Sequence, residues 1–212
     1  MFYERYIKRI FDLAGSMVAL AVFAIPMLIV AILVKIDMPR GTTALFCQKR
    51  LTKNDREFEL YKFRTMSPDA PIQRNVDNAE QYMSKLGLRL RKYSIDELPQ
   101  LINIFLGHMS FVGPRPVPSV EEITVNGRRE NGANKLRGGL TGWAQVSDRD
   151  ATERERANYD GEYVNNVSIR HDIYIIYLTA KECIVGSGIR KYSKGIGQSD
   201  DSESASTAVL DR

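Results

Sequence analysis

The sequence has few of the residues that build disulfide frameworks or histidine-based metal sites. Its 212 residues include two cysteines, Cys47 and Cys183, and two histidines, His108 and His171. Two cysteines exclude a disulfide framework and a four-thiolate zinc site, and they favour a reducing, cytosol-facing location. The histidines show neither HExxH nor HxH spacing, so we expect no histidine-ligated metal.

A large excess of charge of one sign is also missing. The chain has 30 Lys and Arg against 26 Asp and Glu, a formal net charge of +4. This mild excess favours anionic partners such as phosphates or lipid head groups, and we expect no nucleic acid partner. With 43% hydrophobic and 26% charged residues, the composition excludes collagen-like, coiled-coil and wholly disordered chains.

What the sequence does have is a long apolar run. Residues 13–34 contain no charged side chain, and 22 helical residues would reach roughly 33 Å, enough to cross a bilayer core of about 30 Å. A cleaved signal peptide is a weaker interpretation, because the run is too long and no small-residue cleavage site precedes a polar segment. A membrane anchor is therefore predicted.

Two features argue against a simple spanning helix. Pro26 lies inside the run and removes one helical hydrogen bond. Basic residues flank both ends, so the positive-inside rule places both ends in the cytoplasm. A single-pass anchor and a Pro-broken re-entrant helix that returns to the same face both remain open. The flanking basic residues are Arg5, Lys8 and Arg9 before the run, and Lys35, Arg40, Lys49 and Arg50 after it.

The rest of the chain predicts a soluble α/β domain that is rich in helices and has few, short strands. We divide the chain into residues 1–36 (membrane segment), 37–194 (catalytic domain) and 195–212 (disordered tail). Residues 58–63 alternate as a strand does, whereas residues 79–92 and 173–185 show helical spacing. The last of these could pack on the domain or lie in the membrane interface. Residues 94–106 predict another helix, with Ser94 as N-cap and Glu97 closing a capping box.

Two positions are candidates for a catalytic or binding role, and each also has a purely structural explanation. Asp96 and Glu97 are adjacent carboxylates in the first turn of a predicted helix, a position that acids favour for the helix dipole alone. Arg115 lies between prolines in Gly113-Pro114-Arg115-Pro116, a rigid loop suited to holding a phosphate, or an ordinary turn. Several basic residues, one after the predicted strand and three just ahead of the acid pair, would together place cations near the two carboxylates, as a reaction on an anionic diphosphate with a divalent metal would require. They are Arg64, Arg89, Arg91 and Lys92.

Taken together, the motifs resemble a known family. From Lys8 to about Val185 the chain is similar to the bacterial sugar transferases, the monotopic phosphoglycosyl transferases that move a phosphosugar onto a polyprenol phosphate. The ordered co-occurrence of the motifs is far more specific than any single motif. The motifs are KRIFD at 8–12, the Pro-broken run, QKR at 48–50, YKFRTM at 61–66, SIDELPQL at 94–101, VGPRP at 112–116 and TGWAQV at 141–146.

The resemblance implies a reaction and a set of roles. Asp96 would attack the sugar-proximal phosphorus of a UDP-sugar and release UMP, and the polyprenol (undecaprenol) phosphate would then attack the phosphosugar–aspartate. Mg²⁺ bound near Asp96 and Glu97 is also implied, with Glu97 holding the metal or managing a proton. Arg115 is the first candidate for phosphate binding, followed by Arg64, Arg89 and Arg137.

The resemblance also implies a setting. The chain would be the minimal catalytic form of the family, monotopic at the cytoplasmic face of the bacterial inner membrane, with Pro26 at the bend of a re-entrant helix. Lys8, Arg9 and Asp12 would lie at the head groups. Later glycosyltransferases of the pathway would be possible partners.

Departures from the family pattern occur outside the dyad. Thr52 and Asp55 stand where glycines are common, His108 replaces a usual aspartate, and Ile25 precedes the proline where some relatives have serine. Two other classes of function compete with this interpretation: a non-catalytic membrane-tethered binding module, and a transferase that moves the sugar alone and leaves UDP.

Overall fold

The computed structural model describes residues 3–70, 79–148 and 150–185. The predicted tail, 195–212, lies outside these ranges. Short helical turns at Tyr3–Ile7, Lys53–Asp55, Ala79–Tyr82, Ile95–Glu97 and Ala133–Lys135 connect the main elements. The α-helices are α1 (Lys8–Asp37), α2 (Lys85–Lys92), α3 (Gln100–Phe105), α4 (Glu122–Asn131), α5 (Trp143–Ser147), α6 (Glu153–Asn165) and α7 (Ile169–Val185). The strands are β1 (Leu45–Thr52), β2 (Arg56–Phe63), β3 (Met109–Val112) and β4 (Gly138–Thr141).

The strands form two small sheets. β1 and β2 pair antiparallel from Leu45↔Phe63 to Thr52↔Arg56, whereas β3 and β4 pair in parallel. The β1–β2 turn contains Asn54 and Asp55 at positive φ, 58° and 57°. Asn and Asp are the non-glycine residues best tolerated there, so this turn forms without a glycine. The helix-rich α/β prediction with few short strands is therefore confirmed.

The predicted elements agree with the structure in two cases and differ in two. The 58–63 strand is confirmed as part of β2, and the 173–185 helix as part of α7. The single helix predicted over 79–92 is wrong. Its chain is interrupted at Met83, which bridges to Met66, and α2 begins only after Ser84, whose Oγ accepts a hydrogen bond from Gly87 N at 2.9 Å.

The continuous helix predicted over 94–106 is wrong, because the chain forms a short turn at Ile95–Glu97 and α3 begins only at Gln100. The capping box at Ser94 is also wrong. Ser94 has φ 55° and ψ 23°, in the left-handed region, and its side chain makes no capping hydrogen bond. A true capping box occurs instead at α6, where Thr152 and Glu155 bond reciprocally. The turn after Ser94 has no capping box, because the Glu97 side chain contacts other residues, described below.

The apolar helix α1 runs without interruption from Lys8 to Asp37, with Pro26 inside it. It is long and apolar enough to cross a membrane: 18 of its residues average a hydropathy of 3.0, with 6% of that window buried in the protein. The predicted break at Pro26 is not seen as a gap in the helix, and the re-entrant course stays a prediction.

One side of α1 packs against the domain. Val34 and Met38 are buried with Phe63 and Leu90. Farther towards the N-terminus, Gly15 lies close to the Phe111 ring, and a Cβ at this position would lie 2.9 Å from that ring, so the ring would have to shift. Most of the remaining large side chains of α1 are exposed.

Candidate active site

The Asp96–Glu97 pair lies on a short turn that is fixed against the apolar helix. Ile95 and Leu98, on either side of the pair, pack against the cluster that contains Val34 of α1. Ser94, just before this turn, has a left-handed backbone conformation. The resulting geometry buries Asp96, which is 6% exposed, and places the reactive part of the domain beside α1.

Glu97 joins two cations from different parts of the fold. Its Oε1 accepts a hydrogen bond from Lys62 Nζ at 2.8 Å and another from Arg115 Nη2 at 2.5 Å. Arg115 Nη1 lies 3.5 Å from Oε2. Lys62 belongs to β2 and Arg115 to the loop after β3, so the carboxylate links the two sheets at this point.

Asp96 is surrounded by charge but is not bonded to it. Within the described ranges no donor makes a hydrogen bond to its carboxylate, although Glu97, Lys62, Arg91 and Arg115 all act on it electrostatically. A buried carboxylate without a donor is uncommon, because burial of a charge is costly unless it is compensated. Such a group is a functional-site candidate.

The pKa values of the two carboxyl groups are shifted in opposite directions. Burial, followed by repulsion from Glu97, raises the pKa of Asp96 above its ordinary value. Burial also acts to raise the pKa of Glu97, but the charges and hydrogen bonds of Arg115 and Lys62 outweigh it and hold that pKa well below its usual range. Glu97 is therefore a permanent anion at neutral pH. Opposite shifts in neighbouring groups are typical of active sites.

The structure adds Lys62, which the sequence analysis did not single out. Burial lowers the pKa of its ammonium group, and the attraction of Glu97 acts in the opposite direction. The signal was present in the sequence: Lys62 continues the Phe58–Leu60 alternation, so it takes an inward-facing position in β2. Asn103 fixes this strand by accepting from Tyr61 N at 3.0 Å and donating to Glu59 O at 2.7 Å.

The loop that carries Arg115 is held by backbone contacts. Gly113 N donates to Thr141 O at 2.9 Å, and Gly139 N donates to Pro114 O at 2.9 Å. A Cβ on Gly113 would lie 3.1 Å from Gly139 N and closer still to Arg137 O, so glycine is required. The flanking prolines are buried. The predicted rigid loop that presents one guanidinium is present.

The other predicted phosphate ligands lie away from the dyad. Arg64 Nε donates to Thr43 O at 3.1 Å, and its guanidinium lies over the Phe46 ring. Arg89 is exposed on α2. Arg137 lines a small cavity with Lys8 and Asp12 that includes neither carboxylate of the dyad. Of the four arginines proposed from the sequence, only Arg115 is joined to the dyad in the described structure.

The basic residues at the start of α1 attach this helix to the domain. Lys8 is buried in an ion pair with Asp172, and Arg9 donates to the carbonyls of Ile104 and Phe105 at 2.8 and 2.9 Å. Asp12 accepts from Ser110 Oγ and Phe111 N, both at 3.0 Å, and is also buried. Their predicted place at lipid head groups remains a prediction. Pro26 is exposed on the outer surface of α1.

A metal would find carboxylate ligands here, but not a closed cage. Among residues 3–70, 79–148 and 150–185 no group of three or more His, Cys, Asp or Glu side chains comes together. Magnesium commonly binds through one or two carboxylates together with waters and substrate phosphates, which a site of this kind permits. Asp96, whose carboxylate has no donor, fits such a ligand. For Glu97 the fit is confined to Oε2, since Oε1 already accepts from two cations.

Comparison with known proteins agrees with the sequence motifs. The chain matches the family described as "Bacterial sugar transferase" over residues 3–186. An uncharacterized sugar transferase of Bacillus subtilis, EpsL, is 34% identical, covering 87% of this chain and 91% of that protein. The undecaprenyl-phosphate glucose phosphotransferase of Komagataeibacter xylinus is 38% identical over 82% of this chain, but over 35% of that protein.

A further relative is intermediate in length. The UDP-glucose:undecaprenyl-phosphate glucose-1-phosphate transferase of Caulobacter vibrioides is 35% identical over 81% of this chain and 67% of that protein. The chain thus spans nearly all of some relatives and less than half of others. The family match, together with relatives above 30% identity, shows that the chain belongs to the bacterial sugar transferase family.

Proposed function

We propose that this protein transfers a sugar-1-phosphate from a UDP-sugar to polyprenol (undecaprenol) phosphate and releases UMP. The observation that carries the proposal is the Asp96 carboxylate, which is buried, receives no hydrogen bond in the described structure and lies among several cations. Two relatives are named for undecaprenyl-phosphate sugar phosphotransfer, which is the same class of reaction.

The reaction proceeds by two displacements at phosphorus. An Asp96 oxygen forms a bond to the sugar-proximal phosphorus, and the bond from that phosphorus to the bridging oxygen breaks, so that UMP leaves with the electron pair. An oxygen of the polyprenol phosphate then forms a bond to the same phosphorus and displaces the Asp96 oxygen. The carboxylate is regenerated, and the product is a polyprenyl diphosphosugar. Splitting one transfer into two steps in this way is a general advantage of covalent catalysis.

Lys62 and Arg115 supply positive charge for these steps. A carboxylate is a weak nucleophile, so the phosphoryl oxygens must be neutralised for attack to occur. Lys62 has three N–H donors and Arg115 has five, of which Glu97 takes only part. The remaining donors can bind the oxygens of the diphosphate, as charge-assisted hydrogen bonds do elsewhere.

Magnesium would be held by Asp96, with Glu97 contributing at most Oε2, together with substrate phosphates. When bound, the ion would neutralise charge on the diphosphate and on the leaving UMP. The chain's own contribution is to hold Lys62 and Arg115, which come from different parts of the fold, beside the turn that carries Asp96.

The surface of α1 supports a membrane setting. Its outward side chains are apolar, and the dyad turn packs against its inner side. We infer that α1 enters and leaves one leaflet at the cytoplasmic face of the inner membrane, with a bend near Pro26. A polyprenol phosphate at head-group level would then lie within reach of Asp96.

This topology can be tested by cysteine labelling. Starting from a Cys47→Ser/Cys183→Ser chain, one variant carries an added cysteine ahead of Met1 and the other carries Arg40→Cys. We expect a membrane-impermeant maleimide to label both variants in inside-out vesicles and neither in intact spheroplasts, because both ends of a re-entrant helix lie in the cytoplasm. Labelling of the two sites from opposite sides would establish a spanning helix instead.

The nucleophile is tested by Asp96→Asn in the full chain in lipid nanodiscs. UMP release from a panel of UDP-sugars with undecaprenyl phosphate should fall by at least about 10³-fold, because an amide does not replace a carboxylate nucleophile. Intact-mass analysis of the wild type with donor alone should show a phosphosugar adduct, and peptide mass analysis after digestion should place it on the peptide that contains Asp96.

Asp55→Asn is the matched control. It lies at the tip of the β1–β2 hairpin, about 20 Å along β2 from Lys62, and Asn is tolerated at its positive φ. This variant should retain wild-type turnover. Near-normal activity of Asp96→Asn would remove the proposed nucleophile, and release of UDP in place of UMP would establish transfer of the sugar alone.

A further inference from the structure

Glu97 connects two cations that the backbone does not connect. Lys62 lies near the end of β2 and Arg115 follows β3, and these strands belong to different two-stranded sheets. Both cations bond to the same carboxylate oxygen, at 2.8 and 2.5 Å. The distance between the two positive groups is therefore set by the Glu97 side chain.

This arrangement would be unfavourable without the carboxylate. Two like charges held side by side in a partly buried site repel strongly, because the effective dielectric is lower than in water. The Lys62 and Arg115 side chains are still 23% and 39% exposed. Each cation therefore keeps part of its side chain exposed, and the Glu97 carboxylate holds the two together.

We propose that Glu97 is a positioning residue, which acts on the reaction by holding Lys62 and Arg115 as one two-cation site for a diphosphate next to Asp96. The inference rests on the proposed function, since it concerns the substrate of the same site. It assigns Glu97 a role through its neighbours, distinct from direct contact with a transferred proton or with a metal.

The geometry favours this role over the other two. A proton carrier needs a free oxygen that can approach the substrate, and a metal ligand needs a lone pair that is not opposed by cations. Oε1 of Glu97 faces two cations at hydrogen-bond distance, and Oε2 faces Arg115 Nη1 at 3.5 Å. A carboxylate engaged in this way fixes the direction of its donors, as bidentate pairs do.

The test is a pair of double-mutant cycles in the full chain in nanodiscs, measured as kcat/KM for UMP release. We expect Glu97→Gln to lower kcat/KM by about 10²-fold, comparable to the loss of one group that stabilises a transition state. The same substitution is also made in a Lys62→Met background and, separately, in an Arg115→Met background. There Glu97→Gln should lower kcat/KM by only about a further tenfold, because one cation remains to be positioned.

Independent action would overturn the proposal. If the factors multiply in both cycles, Glu97 contacts the substrate by itself. If a tenfold increase in Mg²⁺ restores Glu97→Gln, the carboxylate acts through the metal. Glu57→Gln is the matched control, because Glu57 is an exposed residue of the same strand as Lys62, pairs with Lys49, and should leave the rate unchanged.

A second variant covers the case in which Glu97→Gln does not fold. Glu97→Asp keeps the charge but is one methylene shorter, so that it cannot reach both cations, and a loss of about tenfold is expected. Wild-type kinetics for Glu97→Asp would refute the proposal. Failure of the proposed function is seen separately, in the wild type, as no UMP and no adduct on Asp96.

Discussion

Two carboxylates of this protein, the half-buried Glu97 and the buried Asp172, have similar partners but different surroundings. Each accepts from a lysine and from further donors: Asp172 from Lys8 and from the hydroxyls of Tyr3 and Tyr163, and Glu97 from Lys62 and Arg115. In both cases the lysine comes from a distant part of the chain.

The two clusters differ in how exposed the partners are and in how fully their hydrogen-bonding groups are used. The Lys8 and Asp172 side chains are 10% and 8% exposed, and both oxygens of Asp172 accept hydrogen bonds. Burial and the nearby Asp172 charge raise the pKa of Tyr163 well above its ordinary value, so that this hydroxyl stays a donor. Around Glu97 the cations remain partly exposed, and Asp96 next to it has no donor within the described structure.

A buried ion pair alone therefore does not reveal a function. The Asp172 cluster is buried and fastens the start of α1 to α7, whereas the Glu97 cluster is partly exposed and lies beside Asp96, whose carboxylate receives no hydrogen bond in the described structure. Donors that remain available next to an unsatisfied acceptor distinguish a site that binds a substrate from one that holds the fold together.

The largest effect expected from this comparison is on stability. Asp172→Asn removes the counter-charge of buried Lys8, and losing one partner of a buried pair costs about 3–5 kcal/mol. The free energy of unfolding, measured by urea titration in detergent micelles, should fall by that amount. Glu97→Gln should lose less, because Lys62 and Arg115 are exposed enough to regain water.

The matched control is Tyr163→Phe, which removes one hydroxyl and leaves the ion pair intact. It should cost about 1–2 kcal/mol, the usual penalty for an acceptor left without its donor. Folded Asp172→Asn should keep a KM for the UDP-sugar within about threefold of the wild type. If Asp172→Asn alters donor kinetics as strongly as Glu97→Gln does, the distinction between the two clusters is wrong.

The parts of the fold that could be predicted depend on local patterns. The alternation of β2 and the helical spacing of α7 are set by neighbouring residues, so that both elements were recovered from the sequence. The loop around Arg115 was also predicted, because Pro and Gly restrict the backbone whatever lies around it. Asp96 and Glu97 were identified by their motif, which does not depend on knowing the local conformation.

The remaining features depend on contacts between distant residues. Lys62 and Glu97 are 35 positions apart, and Lys8 and Asp172 are 164 apart. A local rule therefore assigned Glu97 to a capping box, whereas two cations that are remote in sequence compete successfully for its carboxylate. Tertiary contacts of this kind commonly override local preferences.

The smallest expected effect concerns the turn before the dyad. Ser94 has φ 55°, a conformation that costs an L-residue about 1–2 kcal/mol and glycine almost nothing. Ser94→Gly should raise the free energy of unfolding by about 0.5–1 kcal/mol, because the greater freedom of glycine in the unfolded chain offsets part of the gain. The looser turn should also lower kcat/KM a few-fold, since it holds Asp96 and Glu97 less firmly.

Ser84→Gly separates backbone strain from a general effect of glycine. Ser84 has φ −74° and its Oγ caps α2 by accepting from Gly87 N, so the same substitution there removes a hydrogen bond and relieves nothing. It should destabilise the protein by a few tenths of a kcal/mol and leave kcat/KM unchanged. If Ser94→Gly raises the free energy of unfolding and Ser84→Gly lowers it, backbone strain is stored at Ser94, beside the Glu97 cluster, where it fixes the dyad. Destabilisation by both would mean that Ser94 is held at no cost, and that the packing of Ile95 and Leu98 alone orients the turn.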